Sequence, residues 1–244
     1  MEISEYRNIY QHESSHFFYT ANHSLIVGLV RKYSVNDTSL KILDAGCGTG
    51  LLAKQLSKIG STMGVDIASE ALRYAKRRKI RVRKASVNNL PFPDNSFNVV
   101  VSMDVLYHQR VDDTRALFEF FRVLKPGGIA IIRVPANKWL HLLHDKHVHT
   151  RDRYTKNSLY KKLKSAGFFI VRLSYINSIL LPLACIRQSM ERLFGLKYNS
   201  SGVSKLPVVI NTLLKYFLLI ENRVFEVIDL PFGLGLIVVV KKPI

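Results

Sequence analysis

The run Lys41-Ile42-Leu43-Asp44-Ala45-Gly46-Cys47-Gly48-Thr49-Gly50 constrains this chain more than any other stretch. An apolar segment suited to a buried strand ends in an acid, and glycines then take alternate positions. A helix-forming segment, residues 51–59, follows without a gap. Glycines allow a tight turn and close backbone approach, and a helix start offers unpaired N–H groups. Strand, turn and helix therefore build a nucleotide-type site. The spacing narrows which kind. A dinucleotide fingerprint requires Gly-x-Gly-x-x-Gly or Ala, but Leu51 stands at the third small position. A P-loop requires Gly-Lys-Ser/Thr, whereas Gly50 leads into Leu51-Leu52, so no lysine is present to read a triphosphate.

Four further segments follow in order. Ser61-Thr62-Met63-Gly64-Val65-Asp66-Ile67 reads as a second strand ending in an acid, about twenty residues past the first glycine, where a carboxylate can accept ribose hydroxyls. Asn88-Asn89-Leu90-Pro91-Phe92-Pro93-Asp94-Asn95-Ser96-Phe97 leads into a strand at residues 98–103. Met103-Asp104-Val105-Leu106-Tyr107-His108 and Phe121-Arg122-Val123-Leu124-Lys125-Pro126-Gly127-Gly128 complete the set. Together with the glycine turn, these segments resemble the motifs of class I S-adenosylmethionine-dependent methyltransferases. Asn98 replaces the family's usual acid after Ser-Phe. Ser86 stands where family members carry the acid that holds adenine, so no charge-assisted bond is available there.

The resemblance implies an α/β, Rossmann-like fold: a mostly parallel seven-stranded sheet with an antiparallel last strand and added helices. It implies S-adenosyl-L-methionine as cofactor, held by Asp44, Gly46, Cys47, Gly48, Gly50, Asp66, Ile67, Ser86, Val87 and Met103. It also implies methyl transfer to an acceptor beside His108, the family's loop histidine. The segment after the fifth strand resembles a bacterial subgroup pattern of Asp, then His, then Arg-Tyr-Thr. On that match Asp145 and Arg153 are substrate-side residues, and His149 and Tyr154 join His108 as catalytic candidates. The aromatic knot His16-Phe17-Phe18-Tyr19 places Phe17 and Tyr19 over the cleft on the same basis. Tyr175-Ile176-Asn177, Leu181-Pro182, Arg187, Asn211, Glu221 and Leu230-Pro231-Phe232-Gly233 carry a looser likeness to that subgroup.

The order of elements divides the chain. A leading helical segment spans 1–36, with one helix over 10–33. The cofactor-binding core spans 37–173, with a helix over 155–166 and a sixth strand over 168–173. An insertion at 174–232 carries two apolar helices, 179–194 and 206–228. The chain returns for a last strand at 235–241, within 233–244. Long inserts at such a place cap pockets, and apolar helices also rest on membranes.

Charge adds a further constraint. The formal net charge is +18, and the run Arg73 to Lys84 carries eight bases without an acid. Such a run suits weak contact with a polyanion or a membrane surface. Its place at the amino edge of the sheet, away from the carboxyl edge where ligands bind, argues against a stable nucleic-acid complex. An RNA methyltransferase using this face and a non-catalytic scaffold, supported by Ser86, are the rival readings to a small-molecule, lipid-like or saccharide acceptor. Four histidines between His141 and His149 invite a metal, but no cysteine or second carboxylate completes a set, so none is expected. Two distant cysteines, Cys47 and Cys185, and an acidic, polar start point to a cytoplasmic protein, at most peripheral to a membrane.

Overall fold

The computed structural model describes residues 3–34, 39–140, 151–194 and 206–244. Strands β1 (Lys41–Ala45), β2 (Ser61–Asp66), β3 (Arg81–Lys84), β4 (Phe97–Met103), β5 (Leu124–Pro135), β6 (Phe169–Ile176) and β7 (Gly235–Lys241) form one sheet, ordered β3-β2-β1-β4-β5-β7-β6. Neighbours from β3 to β5 are parallel, and β7 enters antiparallel between β5 and β6. This is the expected Rossmann-like sheet with its antiparallel last strand.

The helices are α1 (Ile3–His12), α2 (Phe17–Tyr33), α3 (Leu51–Leu56), α4 (Ser69–Arg77), α5 (Asp113–Val123), α6 (Lys156–Ser165), α7 (Leu180–Leu193) and α8 (Val208–Val227). Alternate strand residues feed two cores. Leu43, Val100, Ala130 and Val238 face α5 and α6, meeting Leu117, Phe120 and Leu159. Ile42, Val99, Ile131 and Val239 face the other way, onto Leu25 and Leu29 of α2, Leu52 of α3 and Phe225 of α8. Both faces of the central strands are covered, which is why these strands read as unbroken apolar runs. Each such side chain, fully buried, contributes about 1.5–3 kcal/mol.

Three expectations need correction. The single leading helix is two, because the chain breaks at Glu13, which turns inward to Arg78, and restarts where His16 caps α2 by accepting from the Phe18 N–H. The sixth strand runs to Ile176, since pairing with β7 continues to Gly235, so the insertion starts at Asn177, a left-handed residue that turns the chain. The basic run is not confined to the sheet's amino edge: its first half ends α4, and Arg81–Lys84 are the whole of β3, the sheet's outer strand. Charged edge strands resist pairing with other chains. Many of these cations have internal partners: Arg81 reaches Ser61 Oγ at 3.0 Å, Arg83 the Pro91 carbonyl at 2.8 Å, and Lys84 Ser69 Oγ at 2.7 Å.

The insertion is stitched to α2. Asn211 on α8 accepts from the Phe17 N–H at 2.9 Å and donates to the Ser15 carbonyl at 2.9 Å. Asn222 donates to the Ala21 carbonyl at 2.9 Å. Buried Glu221 accepts from the N–H groups of Asn177 and Ile179, and Asn177 donates to Asn22 Oδ1 at 3.2 Å. These contacts fix the insertion beside the carboxyl edge of the sheet. The 36/37 boundary and the polar loop at 197–202 lie outside the described residues.

Candidate active site

Where β1 ends, Gly46, Gly48 and Gly50 all take positive φ (87°, 51° and 83°). The N–H groups of Gly46 and Cys47 both donate to the Val65 carbonyl at 2.8 Å, tying the turn to β2. Their surroundings separate the glycines' roles. A Cβ on Gly46 would stand 2.2 Å from Val105 Cγ2, and one on Gly50 2.7 Å from the Ala75 Cβ, so both positions are closed by packing. A Cβ on Gly48 would meet nothing within 4 Å among the described residues. That open space belongs to a cleft of about 940 Å³ at the carboxyl ends of the strands, the usual place for a ligand in such a sheet.

Two carboxylates frame the glycine end of the cleft. Asp66 accepts from the Gly48 N–H with Oδ2 and from the Ala68 N–H with Oδ1, both at 2.9 Å. Burial raises its pKa, opposed by these hydrogen bonds. Asp44 is 2% exposed, and its Oδ2 has no partner among the described residues. Burial first, then the charge of Asp66, pushes its carboxyl up to about 7. A buried carboxylate oxygen without a partner is costly in isolation and suits a donor on a bound molecule. Cys47 is a small filler: its Sγ sits where a Cβ on Gly64 would lie 2.8 Å away, and burial pushes its thiol up, away from nucleophilic use. Ile67, Ser86, Val87 and Met103 also line the cleft, with Ser86 Oγ accepting from the Asn88 N–H at 3.2 Å. Gly50 does not line it; the contact with Ala75 seats the turn on α4. This set of an open glycine, an orphaned buried oxygen and a carboxylate at the second strand's end fits a nucleoside with a charged amino-acid tail.

The opposite wall comes from distant segments. Phe17, Phe18 and Tyr19 of α2 line the cleft with His16 and His23. His16 Nδ1 accepts a backbone N–H, so the neutral ring carries its proton on Nε2 and acts as a donor. Burial holds His16 below its ordinary value and drives His23 down to about 3, so both rings are uncharged near neutrality. His108 lines the cleft at the end of the β4 loop, its ring 4.5 Å from that of Tyr107. Arg153 lines it too, donating to the Ala136 carbonyl at 3.1 Å.

Tyr154, like Gly50, is not part of the cleft wall. Its hydroxyl donates to Asp113 Oδ2 at 2.5 Å; Arg151 meets the same oxygen at 3.0 Å and Lys162 meets Oδ1 at 2.9 Å. Burial opposes ionisation of Asp113, but bonds from Tyr154 and Lys162 prevail and hold it below the carboxylate range. Tyr154 thus anchors the segment entering α6, and the proton transfer assigned to it has no geometry here. Asp145 and His149, with the neighbouring histidines, lie outside the described residues. Among the described residues no cluster of metal-ligating side chains is present.

Sequence reasoning missed several lining residues. Tyr6 and Ile9 bring α1 over the cofactor end, with Glu13 just after it. Buried Glu13 accepts from Thr49 Oγ1 and from Arg78 Nη1, and Arg78 lies over the Tyr10 ring at 4.4 Å. Arg78, one of the basic run, is therefore an internal clamp joining α1, α4 and the glycine turn. At the far end, buried Arg133 pairs with Asp104, a left-handed residue closing β4, and sits under the Phe18 ring at 4.9 Å. Arg187, Leu206 and Leu214 bring the insertion into the wall. Arg187 stands in the subgroup likeness and Asp104 in the loop motif, each without a site role; no local spacing marks the others.

Residues 43–132 match the family described as "Methyltransferase domain". A demethylmenaquinone methyltransferase of Chlorobaculum parvum is 36% identical over 128 residues, covering 48% of this chain and 53% of its own length. A protein of Mus musculus named "Probable tRNA methyltransferase 9B" is 36% identical over 95 residues, covering 38% of this chain and 21% of its own length. The solved structure of phosphoethanolamine N-methyltransferase 2 of Haemonchus contortus, in complex with S-adenosyl-L-methionine, superposes with a TM-score of 0.60 at 17% identity. The match covers 89% of this chain and 52% of that one, a likeness of fold alone. The chain spans about half or less of the length of the first curated relatives it matches.

Proposed function

We propose, from the methyltransferase-domain match at residues 43–132, that this chain is a class I S-adenosylmethionine-dependent methyltransferase that methylates a small, lipid-like acceptor. The observation that carries this reading is the two-ended cleft. The open Gly48 and the Asp44–Asp66 pair stand at one end, and an aromatic and basic wall built by α2, the β4 loop and the insertion at the other. The curated relatives act on chemically different acceptors by their names, so the acceptor is argued from this wall.

When bound, S-adenosylmethionine supplies a methyl group already activated by its sulfonium. The chain's residues then have a limited task, because positioning and exclusion of water supply most of the rate. The glycine turn, Asp44 and Asp66 hold the nucleoside and tail. Tyr6 and Ile9 of α1 cover that end, kept in place by the Glu13–Arg78 pair. The aromatic rings of Phe17, Phe18 and Tyr19 orient an apolar acceptor, and Leu206 and Leu214 keep water out. For an oxygen or nitrogen acceptor the proton passes to an imidazole nitrogen of His108, since His16 already carries its proton on Nε2 and His23 is too weak a base.

The RNA alternative draws on the basic run, and the internal partners of Arg78, Arg81, Arg83 and Lys84 weigh against it. Calorimetric titration with S-adenosylmethionine and S-adenosylhomocysteine tests the proposal. Micromolar binding that is lost in Gly48→Val supports it. No binding to a folded protein sinks the enzyme reading and favours the scaffold.

A further inference from the structure

We propose that α7 and α8 dock this protein onto an anionic lipid bilayer. Leu183, Ile186, Met190 and Leu193 lie on one face of α7, and all are exposed. Val209, Leu213, Phe217, Ile220, Val224 and Val227 do the same on α8. Their spacings follow the helical repeat, so each helix carries an apolar stripe toward solvent. The opposite faces are already used: Leu180, Ala184 and Gln188 of α7 and Leu218, Glu221 and Phe225 of α8 are buried. Each helix thus has two apolar faces, and the fold covers one. Two exposed stripes on consecutive helices exceed the scattered apolar residues of an ordinary surface.

Charge selects the occupant. Beside α8 runs a groove lined by Arg31, Lys32, Lys58, Arg172 and Arg223, against the one acid Glu226 among the described lining residues. Arg172 pairs with Asp229 and Arg223 with Glu226, and the groove keeps a positive excess. An apolar helix face next to clustered cations matches an acyl layer beneath anionic headgroups. A second copy of the chain suits this face poorly, since each copy brings a net charge of +18. No described helix is long and apolar enough to cross a membrane, so contact is with the surface. The same two helices supply Arg187 and Leu214 to the cleft wall, with Leu206 just ahead of α8, which gives a bilayer-borne acceptor a short way in. That last step rests on the methyltransferase reading; the docking does not.

Co-sedimentation with vesicles tests the surface. One set contains phosphatidylcholine alone, and the other equal parts phosphatidylcholine and phosphatidylglycerol. The expected result is partition onto the anionic vesicles, weakened by salt, and reduced at least about tenfold in Leu213→Ser/Phe217→Ser/Ile220→Ser. Binding of S-adenosylhomocysteine by the triple variant reports that its fold is intact. A protein that binds S-adenosylhomocysteine but sediments with neither vesicle overturns the docking and leaves the enzyme reading standing. A dimer by light scattering that the triple variant converts to monomer, without vesicle binding, overturns it in favour of a second copy. Vesicle binding without any S-adenosylhomocysteine binding supports the surface and removes the enzyme reading instead.

Discussion

Asp44→Asn should stabilise the fold at alkaline pH and destabilise it at acid pH. The Asp44 carboxyl is buried, with Oδ2 unpartnered, and its pKa rises from 3.8 to about 7 through burial and then the charge of Asp66, against a backbone hydrogen bond from Ala53. Between those two values the folded state holds a proton that the unfolded chain has lost. Stability therefore falls as pH rises through this window, and the full penalty applies above it. A shift of about three units corresponds to about 4 kcal/mol. Asparagine removes this pH-dependent penalty but leaves a buried NH2 without a partner, which costs about 1–3 kcal/mol at every pH. The variant is thus expected to be about 1–3 kcal/mol less stable near pH 3.5, below both pKa values, and more stable by a similar amount near pH 8.5, as those two terms require. Urea unfolding of both proteins across that range measures the difference directly. A stability difference that does not change with pH would refute the reasoning, because it would mean that Asp44 ionises in the fold as it does in water. The same variant should lose affinity for S-adenosylhomocysteine, since the orphaned oxygen is the group offered to the ligand.

The remaining predictions separate scaffold from site. Gly46→Ala should cost about 2–5 kcal/mol, seen as a lower urea midpoint, from positive φ plus the clash with Val105. Gly48→Ala should cost only about 1–2 kcal/mol yet weaken S-adenosylhomocysteine at least about tenfold, because its methyl enters the open end of the cleft; unchanged affinity would show that the ligand lies elsewhere. Tyr154→Phe should lose about 1–2 kcal/mol of stability, from the bond to Asp113, with cofactor affinity unaltered. A large loss of turnover in that variant at full cofactor affinity would restore the catalytic role. Arg78→Met should strand the buried Glu13 carboxylate at a cost of about 3–5 kcal/mol. Limited proteolysis should then cut before Phe17, and continued protection of α1 would contradict the clamp.

The clamp also changes how the basic run is probed. Reversing Arg77, Arg78 and Arg81 together would break the Glu13 pair, and lost activity would then say nothing about RNA. Arg77 and Arg81 alone are the informative choice.

The sequence alone determined what depends on neighbours along the chain. The glycine turn was legible because a positive-φ corner accepts few residues, and β7 at 235–241 because an unbroken apolar run is suited to a strand covered on both faces. The helix at 156–165 was legible from its cap, where Thr155 and Ser158 exchange hydrogen bonds. Tertiary structure decided the rest. Glu13 meets Thr49 across 36 positions and Arg78 across 65, and Asn211 meets Phe17 across 194. Nothing in the local sequence announces such partners, because each side chain becomes a clamp only when the sheet brings its helices together. Tyr154 shows the converse. Its place in the chain suggested chemistry, and the fold turned its hydroxyl to Asp113, because a buried phenol and a buried carboxylate stabilise each other once both are withdrawn from water.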